Sequence, residues 1–106
     1  MNTKFIKEKI LILMTIIFFG SASANDKMAL GLEVYNNKAE CGVCHALQEA
    51  GSDGEIGPSL DLLKPTEARI ISTVMNGIGV MPSFEEILTK EEIEAVAYFV
   101  FNSTNN

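Results

Sequence analysis

Residues 41–45 read Cys41-Gly42-Val43-Cys44-His45, and they contain both cysteines and the single histidine of the 106-residue chain. Two thiols three residues apart reach the two vinyl groups on one edge of a porphyrin, and the next residue brings an imidazole under the iron. The pentad therefore reads as a haem attachment site, with one haem c held covalently through Cys41 and Cys44. A bare C-x-x-C would leave two rivals, a redox dithiol and a metal clip. A thioredoxin-type pair belongs in a βαβ context, which this sequence lacks. Two cysteines and one histidine are too few for a four-thiolate or a two-Cys, two-His zinc centre.

His45 as a neutral imidazole is the first axial ligand, and its other ring nitrogen needs an acceptor to fix the ring. A backbone carbonyl in the Gly57-Pro58-Ser59-Leu60 turn is the candidate, with Pro58 favoured. The sixth ligand must come from another residue type. Met28 lies in the first helix and Met75 on the inner face of the second, where methionine is by default a core filler. Met81, in a loop just before Pro82, can present its thioether to the metal and is preferred; Met75 stays as the alternative. Met/His ligation raises the reduction potential and fills both axial positions, so no substrate binds the iron. The expectation is a carrier of single electrons, not an enzyme, with no catalytic residue. A gas- or peroxide-reactive haem protein would need an open sixth position, and a thiol redox protein would need free sulfurs.

The chain opens M-N-T-K-F-I-K-E-K, three lysines ahead of an apolar run from Ile10 to Phe19, followed by small residues from Gly20 to Ala24. This is the layout of a secretory signal peptide, with Ala22 and Ala24 as the A-x-A site. Residues 1–24 are read as the cleaved signal and 25–106 as the mature domain, placed in the periplasm without membrane insertion. An uncleaved anchor is the weaker reading, because spanning takes ~20 apolar residues. The leader takes three of the 8 basic and one of the 14 acidic residues, leaving a net charge of about −8. Nucleic acid is excluded as a partner on that charge. Redox proteins presenting a basic face, a donor dehydrogenase and an acceptor oxidase or reductase, suit it; a plain solvated surface is the other reading.

The elements that must position the pentad are helical. Asp26 to about Asn37 forms a first helix, with Gly31 in its middle calling for a packing reason. Glu49 to Pro58, with three glycines, is an irregular loop. Thr66 to about Asn76 is a second helix ended by Gly77. G-I-G-V-M-P-S-F is a loop, and Thr89-Lys90-Glu91-Glu92 is a capping box that opens a third helix with Ile93, Val96, Ala97, Val100 and Phe101 inward. Asn102 to Asn106 is expected to fray, and no strand is expected.

In order along the chain, G-x-x-V-Y, C-x-x-C-H, G-P-S-L, N-G-I-G-V-M-P-S-F and A-V-A-Y-F-V resemble the small class I cytochromes c of bacteria and algal plastids, over nearly the whole mature chain. The resemblance implies an all-α fold of three main helices and short turns wrapped around one haem. It implies Cys41 and Cys44 as thioether links, His45 and Met81 as axial ligands, and Pro58 as the acceptor for His45. Leu60 and Phe84 would line the pocket, and Gly31 and Tyr98 would mark the crossing of the first and last helices. The segment G-x-x-G-x-I-G-P-S-L-D-x-L-K-P is similar to small cytochromes serving dehydrogenases of sulfite or related donors, which would make the chain a shuttle or a subunit for such an enzyme. An apolar rim of Val43, Ile78, Val80 and Pro82 is expected to form the docking patch.

Overall fold

The computed structural model describes residues 23–106, so the expected signal peptide lies outside the described residues except for Ser23 and Ala24. Helix α1 spans Ala24–Glu33 and starts two residues earlier than the periodicity suggested. The reason is Ser23, whose side chain accepts from the Asp26 amide while the Asp26 carboxylate accepts from the Ser23 amide. This reciprocal cap satisfies two amides that the first turn leaves without partners. A single π turn, Val34–Lys38, then continues the helix and carries the adjacent residues Val34 and Tyr35 both fully into the core.

Helix α2 is short, Leu60–Leu63, capped by Ser59. Helix α3 spans Glu67–Asn76, with Thr66 as its N-cap and Ile70 and Val74 buried. Helix α4 spans Lys90–Thr104 behind the expected Thr89/Glu92 capping box. Its end is a correction to the frayed tail. Thr104 is buried and donates to the Val100 carbonyl (2.9 Å), and Asn102 donates to the Tyr98 carbonyl (2.7 Å). Polar side chains that bond back one turn hold the helix together where composition alone suggested loosening.

Two strands also correct the strandless expectation. Ala46–Leu47 (β1) pairs antiparallel with Ser52–Asp53 (β2), in register Ala46 to Asp53 and Leu47 to Ser52. Gly51, at φ 69°, closes the connection. Strands this short carry no readable alternation.

The core gathers Val34 and Tyr35, Leu47, Ile70 and Val74, Leu88, and the inner face of α4 from Ile93 to Val100. Helices α1 and α4 cross at Gly31. A Cβ there would lie 2.3 Å from the Ala95 carbonyl oxygen and 2.4 Å from the Phe99 Cβ, so only glycine permits the approach. Tyr98 also joins the two helices at this crossing. It stands half-buried on the flank, with the Lys27 ammonium 4.9 Å above its ring. Tyr35 and Phe99 meet with tilted rings, centroids 6.0 Å apart.

Candidate cofactor site

The pentad begins on a strained residue: Glu40 has φ 50°, a left-handed conformation that non-glycine residues seldom adopt. Cys41–Val43 then form one 3₁₀ turn, in which the Cys41 carbonyl accepts from both Cys44 (3.2 Å) and His45 (3.0 Å). This turn lies against the β1–β2 hairpin and the loop after it, backbone on backbone. A Cβ at Gly54 would come within 2.7 Å of the Cys44 carbonyl carbon, the Gly42 oxygen and the His45 nitrogen. At Gly57 it would strike the His45 ring, 2.5 Å from Cε1. Both glycines are required by proximity.

His45 is held at two points. Its Nδ1 lies 2.7 Å from the Pro58 carbonyl oxygen, which can only accept, so in the neutral ring Nδ1 carries the proton and Nε2 keeps its lone pair. Its own carbonyl accepts from Tyr35 Oη (3.2 Å) and Ser52 Oγ (3.0 Å), and the two hydroxyls lie 2.9 Å apart. Burial raises the Tyr35 pKa above its usual 10.0, against the opposing effect of the Ser52 hydrogen bond, and keeps it a neutral donor. Burial likewise pushes the Cys41 thiol up to about 11. A redox-active cysteine needs the opposite shift.

Met81 arrives on a tight turn. Its amide donates to the Ile78 carbonyl (2.9 Å) and its carbonyl accepts from the Ile78 amide (3.0 Å), with Gly79 and Val80 at the tip. Gly77 and Gly79 supply the positive φ angles, 73° and 57°. The Phe84 amide then donates to the Val74 carbonyl (2.8 Å) and ties the segment to α3.

All these segments enclose one cavity of about 660 Å³. Cys41, Cys44, His45, Pro58, Leu60, Met81 and Phe84 all line it, so the fold brings together every residue singled out for the site. Met75 is elsewhere, beside Ile71, Leu88 and Ile93 in a smaller cavity of about 250 Å³. Sequence reading missed Tyr35 and Ser52 as supports of the pentad, and Ile56, Arg69 and Thr73 as lining residues. For Arg69 a signal existed, because it is the chain's sole arginine. For Ser52 there was none, since its role depends on the hairpin register.

Comparison with known proteins decides the family. The family model described as cytochrome c oxidase, cbb3-type, subunit III, matches residues 26–100. The chain belongs to this family of small class I c-type cytochromes. It is 35% identical over 96 residues to chloroplastic cytochrome c6 of Chlamydomonas reinhardtii, a match covering 81% of this chain and 60% of that protein. It is 33% identical over 82 residues to cytochrome c6 of Leptolyngbya boryana, covering 70% and 89%. Among solved structures, the c-type cytochrome SorU from Sinorhizobium meliloti superposes with a TM-score of 0.72 at 50% identity, over 76% of this chain and 93% of SorU.

A class I cytochrome carries electrons on a covalently bound haem c, and the cavity fits that group. Its volume lies within the ~300–1,000 Å³ that encloses a ligand of several rings. Both cysteines line it, an imidazole with a free nitrogen lone pair and a thioether reach it from separate segments, and apolar residues such as Ile70, Val74, Val96 and Val100 fill the rest. Among the described residues no helix is long and apolar enough to cross a membrane.

Proposed function

We propose that this cytochrome is an exported, periplasmic one-electron carrier in which Cys41 and Cys44 hold the haem as thioethers while His45 and Met81 take its two axial positions. One observation carries the reading: His45 and Met81 line the same cavity from separate segments, and Pro58 fixes the imidazole so that Nε2 is the nitrogen left to coordinate. When bound, the haem supplies an iron that changes by one electron between ferric and ferrous states. With His45 and Met81 holding the group, neither face of the ring would be open to a substrate. Leu60, Phe84 and the inner residues of α3 and α4 keep water away, and the soft Met81 thioether favours the ferrous ion.

Three measurements test this. Thiol titration of the denatured protein should find no free or reducible sulfur; two would support a thiol redox protein. Carbon monoxide added to the reduced protein should leave the spectrum unchanged, whereas rapid binding would assign it to the gas- or peroxide-reactive haem proteins. The oxidised protein should show a weak far-red sulfur-to-iron band that Met81→Ala removes. Persistence of the band in that variant, with loss in Met75→Ala, would reverse the axial assignment.

The partners we propose are a donor dehydrogenase and an acceptor oxidase or reductase, each presenting a basic face. Val43, Ile78, Val80 and Pro82 line the cavity yet remain exposed, Val80 by 90%, and together with exposed Ile56 they form the apolar contact patch. Val80→Lys should slow turnover with the physiological partner, and an unchanged rate would remove the patch. Association should slow as salt rises. A role as the haem subunit of a sulfite-type dehydrogenase is the second reading, favoured by the G-x-x-G-x-I-G-P-S-L segment from Gly51 to Leu60.

A further inference from the structure

Among the described residues, two that are not glycine hold left-handed backbone, Glu40 at φ 50° and Lys64 at φ 48°. Both sit where a helix ends, a place that calls for this conformation and where glycine or asparagine adopts it most easily. Lys64 closes α2, and its positive charge suits the partly negative carbonyl end of a helix. Glu40 follows the π turn that finishes the first helix, so it puts a negative charge at an end of the same sign. Its side chain makes no capping bond to the Cys41–Val43 turn that it opens, and it has no ion-pair partner among the described residues. Local stability therefore favours glycine or asparagine at position 40, yet the chain carries glutamate.

The cavity supplies another reason for a carboxylate. Glu40 is exposed, and it is the only acidic residue among those lining the cofactor cavity. Cys41 follows it directly, and the exposed side chains of Val43 and Ile78 line the same cavity. A negative charge beside exposed apolar groups suits a lysine or arginine side chain, whose methylenes cover the apolar surface while its charged head meets the carboxylate. We propose that Glu40 receives a cationic side chain of the redox partner at the edge of the cofactor cavity, and so acts as a specificity-determining residue for electron exchange. The proposal rests on the reading that the cavity holds the haem of an electron carrier.

The test uses the haem-loaded chain at low salt, with covalent attachment verified first by the haemochrome spectrum after denaturation. The ferrous protein is mixed with one of two oxidants, the tris(phenanthroline)cobalt(III) trication, which stands in for the partner's cation, or the hexacyanoferrate(III) trianion. In each reaction the haem iron loses one electron, the metal of the oxidant gains it, and no atom or proton moves. Aspartate and asparagine both tolerate left-handed backbone and differ in charge, so Glu40→Asp against Glu40→Asn isolates the carboxylate. Glu40→Asn should react about threefold more slowly than Glu40→Asp with the cobalt complex and faster with hexacyanoferrate, and both differences should shrink as salt rises. A change in driving force alone would move the two rates in the same direction. Glu91→Gln, which removes the same charge from an exposed residue that does not line the cavity, should leave both rates close to wild type. Glu40→Gly should melt no lower than wild type. Equal rates for Glu40→Asn and Glu40→Asp, an equal response from Glu91→Gln, or a lower melting temperature for Glu40→Gly would overturn the proposal and leave the haem reading intact. A chain without covalent haem would overturn both.

Discussion

The segment that carries His45 and the segment that carries Met81 reach the same cavity by different construction. Around His45 the support is backbone against backbone: Gly54 lies under the pentad, Gly57 under the imidazole, and Pro58, Tyr35 and Ser52 fix the residue at both its ring and its carbonyl. Around Met81 the chain is anchored at its root, where a Cβ on Gly77 would meet the Met81 carbonyl oxygen at 2.8 Å, but the tip is open. A Cβ on Gly79 would meet nothing within 4 Å. One side chain is therefore set by the fold as a whole, and the other by a local turn. The contrast implies that the Met81 segment is the one that yields first under strain.

The same substitution on the two sides gives the sharpest way to break this comparison. Gly54→Ala drives a methyl group into three backbone atoms that cannot rotate away, so it should cost more than ~3 kcal/mol and sharply lower the yield of haem-loaded protein. A melting temperature within a few degrees of wild type would show that the His45 side is softer than its packing implies. Ser52→Ala removes one of two donors to the His45 carbonyl and should cost about 1–2 kcal/mol in a denaturant titration, with the ligation spectrum retained. Gly79→Ala should cost only ~1 kcal/mol, the penalty of a side chain at φ 57°, and should keep the far-red band. Loss of the band would mean that the tip conformation, not the Ile78–Met81 pairing, positions the thioether.

The smallest effect lies away from both sides. Lys38 pairs with Glu92, which the pairing and the Thr89 backbone hold below the usual carboxylate pKa of 4.5. A depressed carboxylate pKa stabilises the fold above the ordinary value, and that contribution disappears as pH falls through 4.5 toward the folded value. Glu92→Gln keeps a capping side chain and should lower the melting temperature by roughly 2–4 °C at neutral pH. The two melting curves should converge on acidification; a gap that stays constant to low pH would assign the effect to the cap alone.

What the sequence disclosed about the site depended on how local each signal was. The pentad, the Pro58 turn and Met81 before Pro82 are short runs in which residue type and spacing carry the chemistry, and all of them line the cavity. The three main helices were legible from caps and apolar period, to within two residues at the start of α1. The supports were not. Ser52 meets Tyr35 only because the hairpin pairs Leu47 with Ser52, and Thr104 holds the end of α4 through a bond that composition cannot reveal. Gly31 announced a close crossing, and it comes nearest to Ala95 and Phe99, while Tyr98 meets Lys27 across the same pair of helices.

That crossing also sets a schedule for assembly. Gly31 and Ala95 stand 64 residues apart, and Val96 and Val100, which close the cavity, follow immediately. A contact of such long sequence separation forms late, after the loop-closure entropy of everything between has been met. Chain leaving a ribosome or an export channel in N-to-C order therefore presents Cys41 and Cys44 in an open segment well before α4 emerges. On the proposed reading, thioether bonds would form in that interval, before the last helix docks.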